Sequence, residues 1–145
     1  MEDFLSRHNQ KVVCFQAHIN KFRIAFKGYV QKDIEPEWIR TAEKHYARGV
    51  DYSEIVGLYD TSSFGKGKTG FLFTDDYLYW KRSISKGIIR LSDIVNITYY
   101  DETKKKSEDR GIIFYMKDGS SVCWDGFCNL KCKAFIKFMN EYLSI

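Results

Sequence analysis

Between residues 54 and 124 the apolar and aromatic residues come in seven short runs, each closed by a turn signal. This constrains the fold more than any other feature of the chain. Runs of this length, rich in Ile, Val, Tyr, Phe and Trp, are too short for helices and read as strands. They predict strands near 54–60, 70–75, 77–82, 87–91, 94–100, 111–117 and 120–124. Asp75-Asp76 and Asp118-Gly119 leave so little chain between neighbouring runs that the strands they join must be antiparallel hairpins. The stretch 101–110, "DETKKKSEDR", reads as a solvated connection, because acids bracket Lys104, Lys105 and Lys106 and cancel most of their long-range field.

The flanks change period. In the tail, Phe127, Leu130, Ala134, Phe135, Phe138 and Tyr142 fall on one helical face, which predicts an amphipathic helix at about 127–143 covering an apolar surface. At the front, Val12, Phe15, Ile19, Phe22, Phe26 and Tyr29 step by three and four and predict a helix at about 9–30. Pro36 suits a first helical turn and Gly49 a stop, predicting a second helix at about 36–48. The expected division is a helical segment over 1–50 and a β-rich unit over 52–145. The fold class is α+β.

The order of seven antiparallel strands and one closing helix resembles a pleckstrin-homology-like barrel. The stretch "GLYDTSSFGKGKTGFLFTDDYLYWKR" followed by "IIRLSDIVNI" is similar to small bacterial domains of the PH/GRAM-like kind. There a small-residue loop leads into G-x-L-x-T-x-D-x-aromatic and then hydrophobic-x-Asp-Ile. Gly70, Leu72, Thr74, Asp76, Leu91, Asp93 and Ile94 stand in those places, with Tyr77 and Tyr79 supplying the aromatic character. The resemblance covers residues 52–145 and implies a seven-stranded barrel capped by the C-terminal helix. It implies little about function, since such barrels take lipids, peptides and proteins alike.

The loop "FGKGKTG" at 64–70 ends in Gly-Lys-Thr, like a nucleotide-binding P-loop. The first glycine of that motif falls on Ser62, and the residues after Gly70 read as a strand where phosphate binding needs a helix N-terminus. The loop is therefore expected to be a glycine-rich hairpin connection. In PH-like domains that bind phosphoinositides, the first and third barrel loops carry the basic groups. Carried over, that implies Lys66 and Lys68 in one loop and Lys81, Arg82 and Lys86 around the other as candidate anion ligands. The second strand, "FLFT", carries none of the further basic residues the lipid-binding form usually has.

Catalytic and metal chemistry find little support. Cys14, Cys123, Cys128 and Cys132 contain no C-x-x-C, and His8, His18 and His45 form no pair at ligand spacing. The cysteines read as buried or half-buried reduced thiols, and no metal or cofactor is expected. No serine sits in a nucleophile elbow. A His/Cys pair converging in space is the one enzymatic reading left open.

The net charge of +4 is too mild for a nucleic-acid binder. No apolar run approaches a membrane span, and the opening "MEDFLSRHNQ" lacks the basic start and apolar stretch of a signal peptide, so a cytoplasmic location is expected. The expected function is a non-catalytic binding module with a protein partner, regulatory or immunity-like. Phe15, Phe22 and Phe26 are candidate contacts if the first helix reaches another chain. Anionic-lipid or phosphate binding through the five basic residues is the alternative.

Overall fold

The computed structural model describes residues 2–21, 28–61, 68–82, 85–99, 111–125 and 132–144. Helix α1 runs over Glu2–Lys21, α2 over Pro36–His45 and α3 over Cys132–Leu143. The strands are β1 Gly28–Val30, β2 Ile55–Asp60, β3 Gly70–Thr74, β4 Tyr77–Lys81, β5 Lys86–Arg90, β6 Ile94–Tyr99, β7 Gly111–Met116 and β8 Ser121–Asp125. The architecture is α+β, with an antiparallel sheet in the order β1-β2-β3-β4-β5 and a second in the order β6-β7-β8.

All seven expected strands form, and an eighth joins them. Gly28–Val30, expected inside the first helix, instead pairs with Gly57–Tyr59 of β2. The step of three and four that placed Tyr29 on a helical stripe is overridden by the open edge of β2, which satisfies the backbone of β1. Phe22 and Phe26 lie outside the described residues. The eight strands do not close into a barrel among the described residues. Strand β1 occupies the edge of β2 that a closing strand would take. Between β5 and β6 a one-turn 3-10 helix at Leu91–Asp93 turns the chain from one sheet into the other. That corner is tied to both sheets, because Leu91 donates to the Asp76 carbonyl and Lys117 donates to that of Asp93, at 2.8 Å each.

The five-stranded sheet is covered on both faces. Strands β2 and β3 are buried at every position, which is why they read as continuous apolar runs. Their alternate side chains divide between two cores. Phe71 and Phe73, with Leu78 and Trp80 of β4, face the larger core. There they meet Ile97, Phe114 and Trp124 of the second sheet, Phe15 and Ile19 of α1, and Phe135, Phe138 and Met139 of α3. Leu58 and Leu72 face the smaller core, against Ala42, Tyr46 and Ala47 in and just after α2. Strand β4 is covered less completely and shows the half-buried alternation.

Phe15 is the keystone of the contact between α1 and the sheet. It is fully buried and meets the rings of Phe73, Phe138 and Tyr142 edge-on at 5.0, 5.2 and 5.6 Å. It stands directly over Gly57, where a Cβ would come within 2.2 Å of its Cε1. Gly70, the last residue of "FGKGKTG", has φ of +142°, and a Cβ there would strike the Tyr59 carbonyl oxygen at 2.1 Å. Gly57 is therefore dictated by the close approach of a buried ring, and Gly70 by that of neighbouring backbone and a positive φ.

Candidate functional site

The candidate basic residues gather at one end of the five-stranded sheet. Gly70 pairs with Lys81, and Lys81 pairs with Lys86, so the start of β3, the end of β4 and the start of β5 lie side by side. Lys68 is exposed two residues before β3, and Arg82 follows β4 directly. Lys66 lies outside the described residues. The base of its loop is closed by Thr61, whose N–H donates to the Thr69 carbonyl at 3.1 Å while the two hydroxyls stand 3.0 Å apart. The residues after Thr69 form β3 and not a helix, so Gly67-Lys68-Thr69 opens onto no helix N-terminus.

Lys86 leads to residues that sequence reasoning missed. Its Nζ donates to the His45 carbonyl at 3.2 Å, linking β5 to the C-terminal end of α2. Between the two elements lies a groove of about 430 Å³, lined by Lys44, His45, Arg48 and Lys86 together with Tyr46 and Ile88. Among the described residues no acid lines it. The sequence carries a signal in Lys44, His45 and Arg48, but basic residues in a last helical turn are ordinary complements to the helix dipole. Only the tertiary fold sets them beside Lys86.

The groove borders an edge that pairs with no further strand among the described residues, since β5 is the last strand of its sheet. Arg82 donates to the Ser85 carbonyl at 2.9 Å, and Leu91 to that of Asp76 at 2.8 Å. Hydrogen-bonded pairs alternate along an antiparallel ladder, so Trp80–Gly87 and Leu78–Ile89 are the bonded pairs between these ends. Lys86, Ile88 and Arg90 therefore turn their N–H and C=O groups outward. Their side chains are exposed too, Ile88 to 59%.

A second constellation lies under α1. His8 Nδ1 stands 2.7 Å from Asp75 Oδ1, both side chains 9% exposed, and Lys11 Nζ donates to the Asp75 carbonyl. Asp75 belongs to the two-residue turn between β3 and β4, so this clasp fixes α1 to that hairpin. The apolar-stripe reading passed over His8 because it is polar, although it precedes Val12 by four and Phe15 by seven.

The sequence left open a His/Cys pair, and one contact of that kind exists. Cys14 Sγ lies 3.5 Å from His18 Nδ1. That same nitrogen lies 2.8 Å from the Cys14 carbonyl oxygen, which can only accept, so Nδ1 carries the proton and has no lone pair for the thiol. Burial also pushes the Cys14 thiol up, away from the thiolate. The pair is a helical i,i+4 contact without the geometry of an activated nucleophile. Among the described residues no three His, Cys, Asp or Glu side chains come together as a metal site. No helix among them is long and apolar enough to cross a membrane.

Phe15, a candidate partner contact, is in the core and presents no surface to another chain. Phe22 and Phe26 are outside the described residues. Comparison with protein-family models, curated proteins and solved structures returns no match.

Proposed function

We propose that this protein is a non-catalytic binding module that takes up an extended, acidic segment of a protein partner along the open edge of β5. The observation that carries this reading is the outward-facing backbone of Lys86, Ile88 and Arg90 beside a groove lined by four basic side chains. A peptide laid on such an edge adds a strand, its main chain supplying the hydrogen bonds and its side chains the selectivity. Ile88 offers apolar contact at the centre, and Lys44, His45, Arg48 and Lys86 favour carboxylates in the partner. Charge of this kind at a rim raises the association rate and makes binding salt-sensitive. We read the architecture as PH-like. Supporting that reading are the four strands β2–β5 in one sheet, three in the next, and α3 after them. A regulatory or inhibitory subunit is the role such a module fits.

The test is selection of displayed decapeptides on the immobilised protein, followed by affinity measurement on synthetic peptides. Recovered sequences are expected to be acidic and β-prone. Arg48→Glu with Lys86→Glu is expected to weaken them about tenfold or more. Ile88→Pro removes an outward N–H while sparing the ladder to β4, and is expected to do the same. Binding indifferent to Ile88→Pro would sink the edge reading. Sedimentation with acidic liposomes is the comparison arm. If it depends on Lys68, Lys81 and Arg82 but not on Ile88, the basic end serves an anionic headgroup instead.

A further inference from the structure

A cavity of about 450 Å³ opens where α1, the β3–β4 turn, the 3-10 corner after β5 and the end of α3 meet. Its size falls within the range of small-molecule sites, about 300–1,000 Å³. It is separate from the basic groove and shares no residue with it.

The cavity has two charged poles and an apolar wall. The negative pole is Asp75, which is 7% exposed. His8 holds its Oδ1, and Lys11 holds its carbonyl, so the carboxylate is fixed in place. Among the described residues its Oδ2 has no hydrogen-bond partner, and neither has the hydroxyl of Tyr142, a residue that lines the same cavity. Burying a carboxylate oxygen without a donor is unfavourable, and a ligand that brings one relieves it. The positive pole is Arg7, whose side chain makes no hydrogen bond or ion pair among the described residues, with Lys11 beside it. Leu91, Ile94 and Leu143 form the wall.

A lone cation entering this space meets Arg7 and Lys11, and a lone anion meets Asp75 and Asp76. A molecule carrying both charges is suited to both poles. We infer that the cavity binds a small zwitterion with an N–H donor, a carboxylate and an apolar body, of the size of a free hydrophobic amino acid or a dipeptide. The ammonium donates to Asp75 Oδ2, the carboxylate pairs with Arg7, and the body rests on Leu91, Ile94 and Leu143.

Titration calorimetry with L-phenylalanine, L-leucine and leucyl-leucine tests this, with phenethylamine and hydrocinnamate as single-charge analogues. At least one zwitterion is expected to bind about tenfold or more tightly than either analogue. Arg7→Ala is expected to reduce the zwitterion to the level of the amine. Asp75→Asn is expected to abolish the preference. Because that substitution also touches the α1 clasp, Ser92→Trp, which fills the cavity from the 3-10 corner, is the second variant. Occupancy has an independent readout, since Cys14 lines the cavity and a bound ligand is expected to slow its alkylation, followed by mass spectrometry. Equal affinity for zwitterion and single-charge analogues overturns the inference. So does the absence of both heat and Cys14 protection at millimolar probe.

Discussion

Phe15 shows how one residue can be read correctly in pattern and still be misplaced in role. Its position on a helical stripe is legible, and so is its apolar character. That it meets Phe73, Phe138 and Tyr142 rather than a partner chain depends on Gly57, which leaves room for its ring. Phe15→Ala is expected to cost about 3–5 kcal/mol, read from the urea midpoint at constant slope, because it opens a hole between α1, α3 and the sheet. His8 and Asp75 illustrate the opposite case. Each is an unremarkable polar residue in the sequence, and nothing local brings them together across 67 positions. Cys14 gives a check on the burial of the same region. Its raised thiol value means that its alkylation rate keeps climbing at pH values where an ordinary thiol has levelled off. A rate profile that levels off where a free cysteine does would contradict the packing of α1 described above.

Among elements, the seven expected strands were legible because short β-rich runs and turn residues are local signals. Thr74 accepts from the Tyr77 N–H at 3.0 Å, and Asp118 accepts from Ser120 at 2.8 Å, so the turns that set the register are written in neighbouring residues. Strand β1 was illegible for the same reason. Its three residues, although Tyr29 and Val30 favour strands, are too few to stand out as a run and are extended because β2 offers an edge. Helices α1 and α3 meet at their ends through Lys21 and Glu141, with Nζ and Oε1 2.6 Å apart. The Lys21 hydrogen bond holds the Glu141 carboxyl below the usual carboxylate range. A carboxylate lowered in the folded state stabilises above its unfolded value, and that contribution disappears as pH falls through the lowered one. Amide exchange at the end of α1 is therefore expected to be faster in Glu141→Gln than in the parent at neutral pH. The two should become indistinguishable at strongly acid pH. The difference should also shrink with salt, because the pair is solvent-exposed.

For the whole molecule, the division expected at residue 50 separates segments that share one interior. Phe15, Ile19 and Val30 belong to the larger core, and Ala42, Tyr46 and Ala47 to the smaller one. A chain of residues 52–145 alone would strip Phe15 from Phe73 on one face of the sheet and Ala42, Tyr46 and Ala47 from Leu58 and Leu72 on the other. It is expected to give poorly dispersed amide spectra and to aggregate, where the full chain is expected to give a single cooperative transition. A well-dispersed spectrum from that fragment would show that α1 and α2 are dispensable to the sheet. Both candidate sites are products of this closure. The basic groove needs the end of α2 beside β5, and the cavity needs four elements at once. The sequence by itself determined the strands of the hairpin run, the three helices in outline and the α+β class, since these rest on periodicity and turn chemistry within a few residues. The tertiary structure alone decided that β1 joins the sheet, that the strands form two sheets and no closed barrel among the described residues, and which charges face one another. Edge pairing and the burial of polar groups are long-range contacts, and a chain acquires them only when its distant parts compete for the same surface.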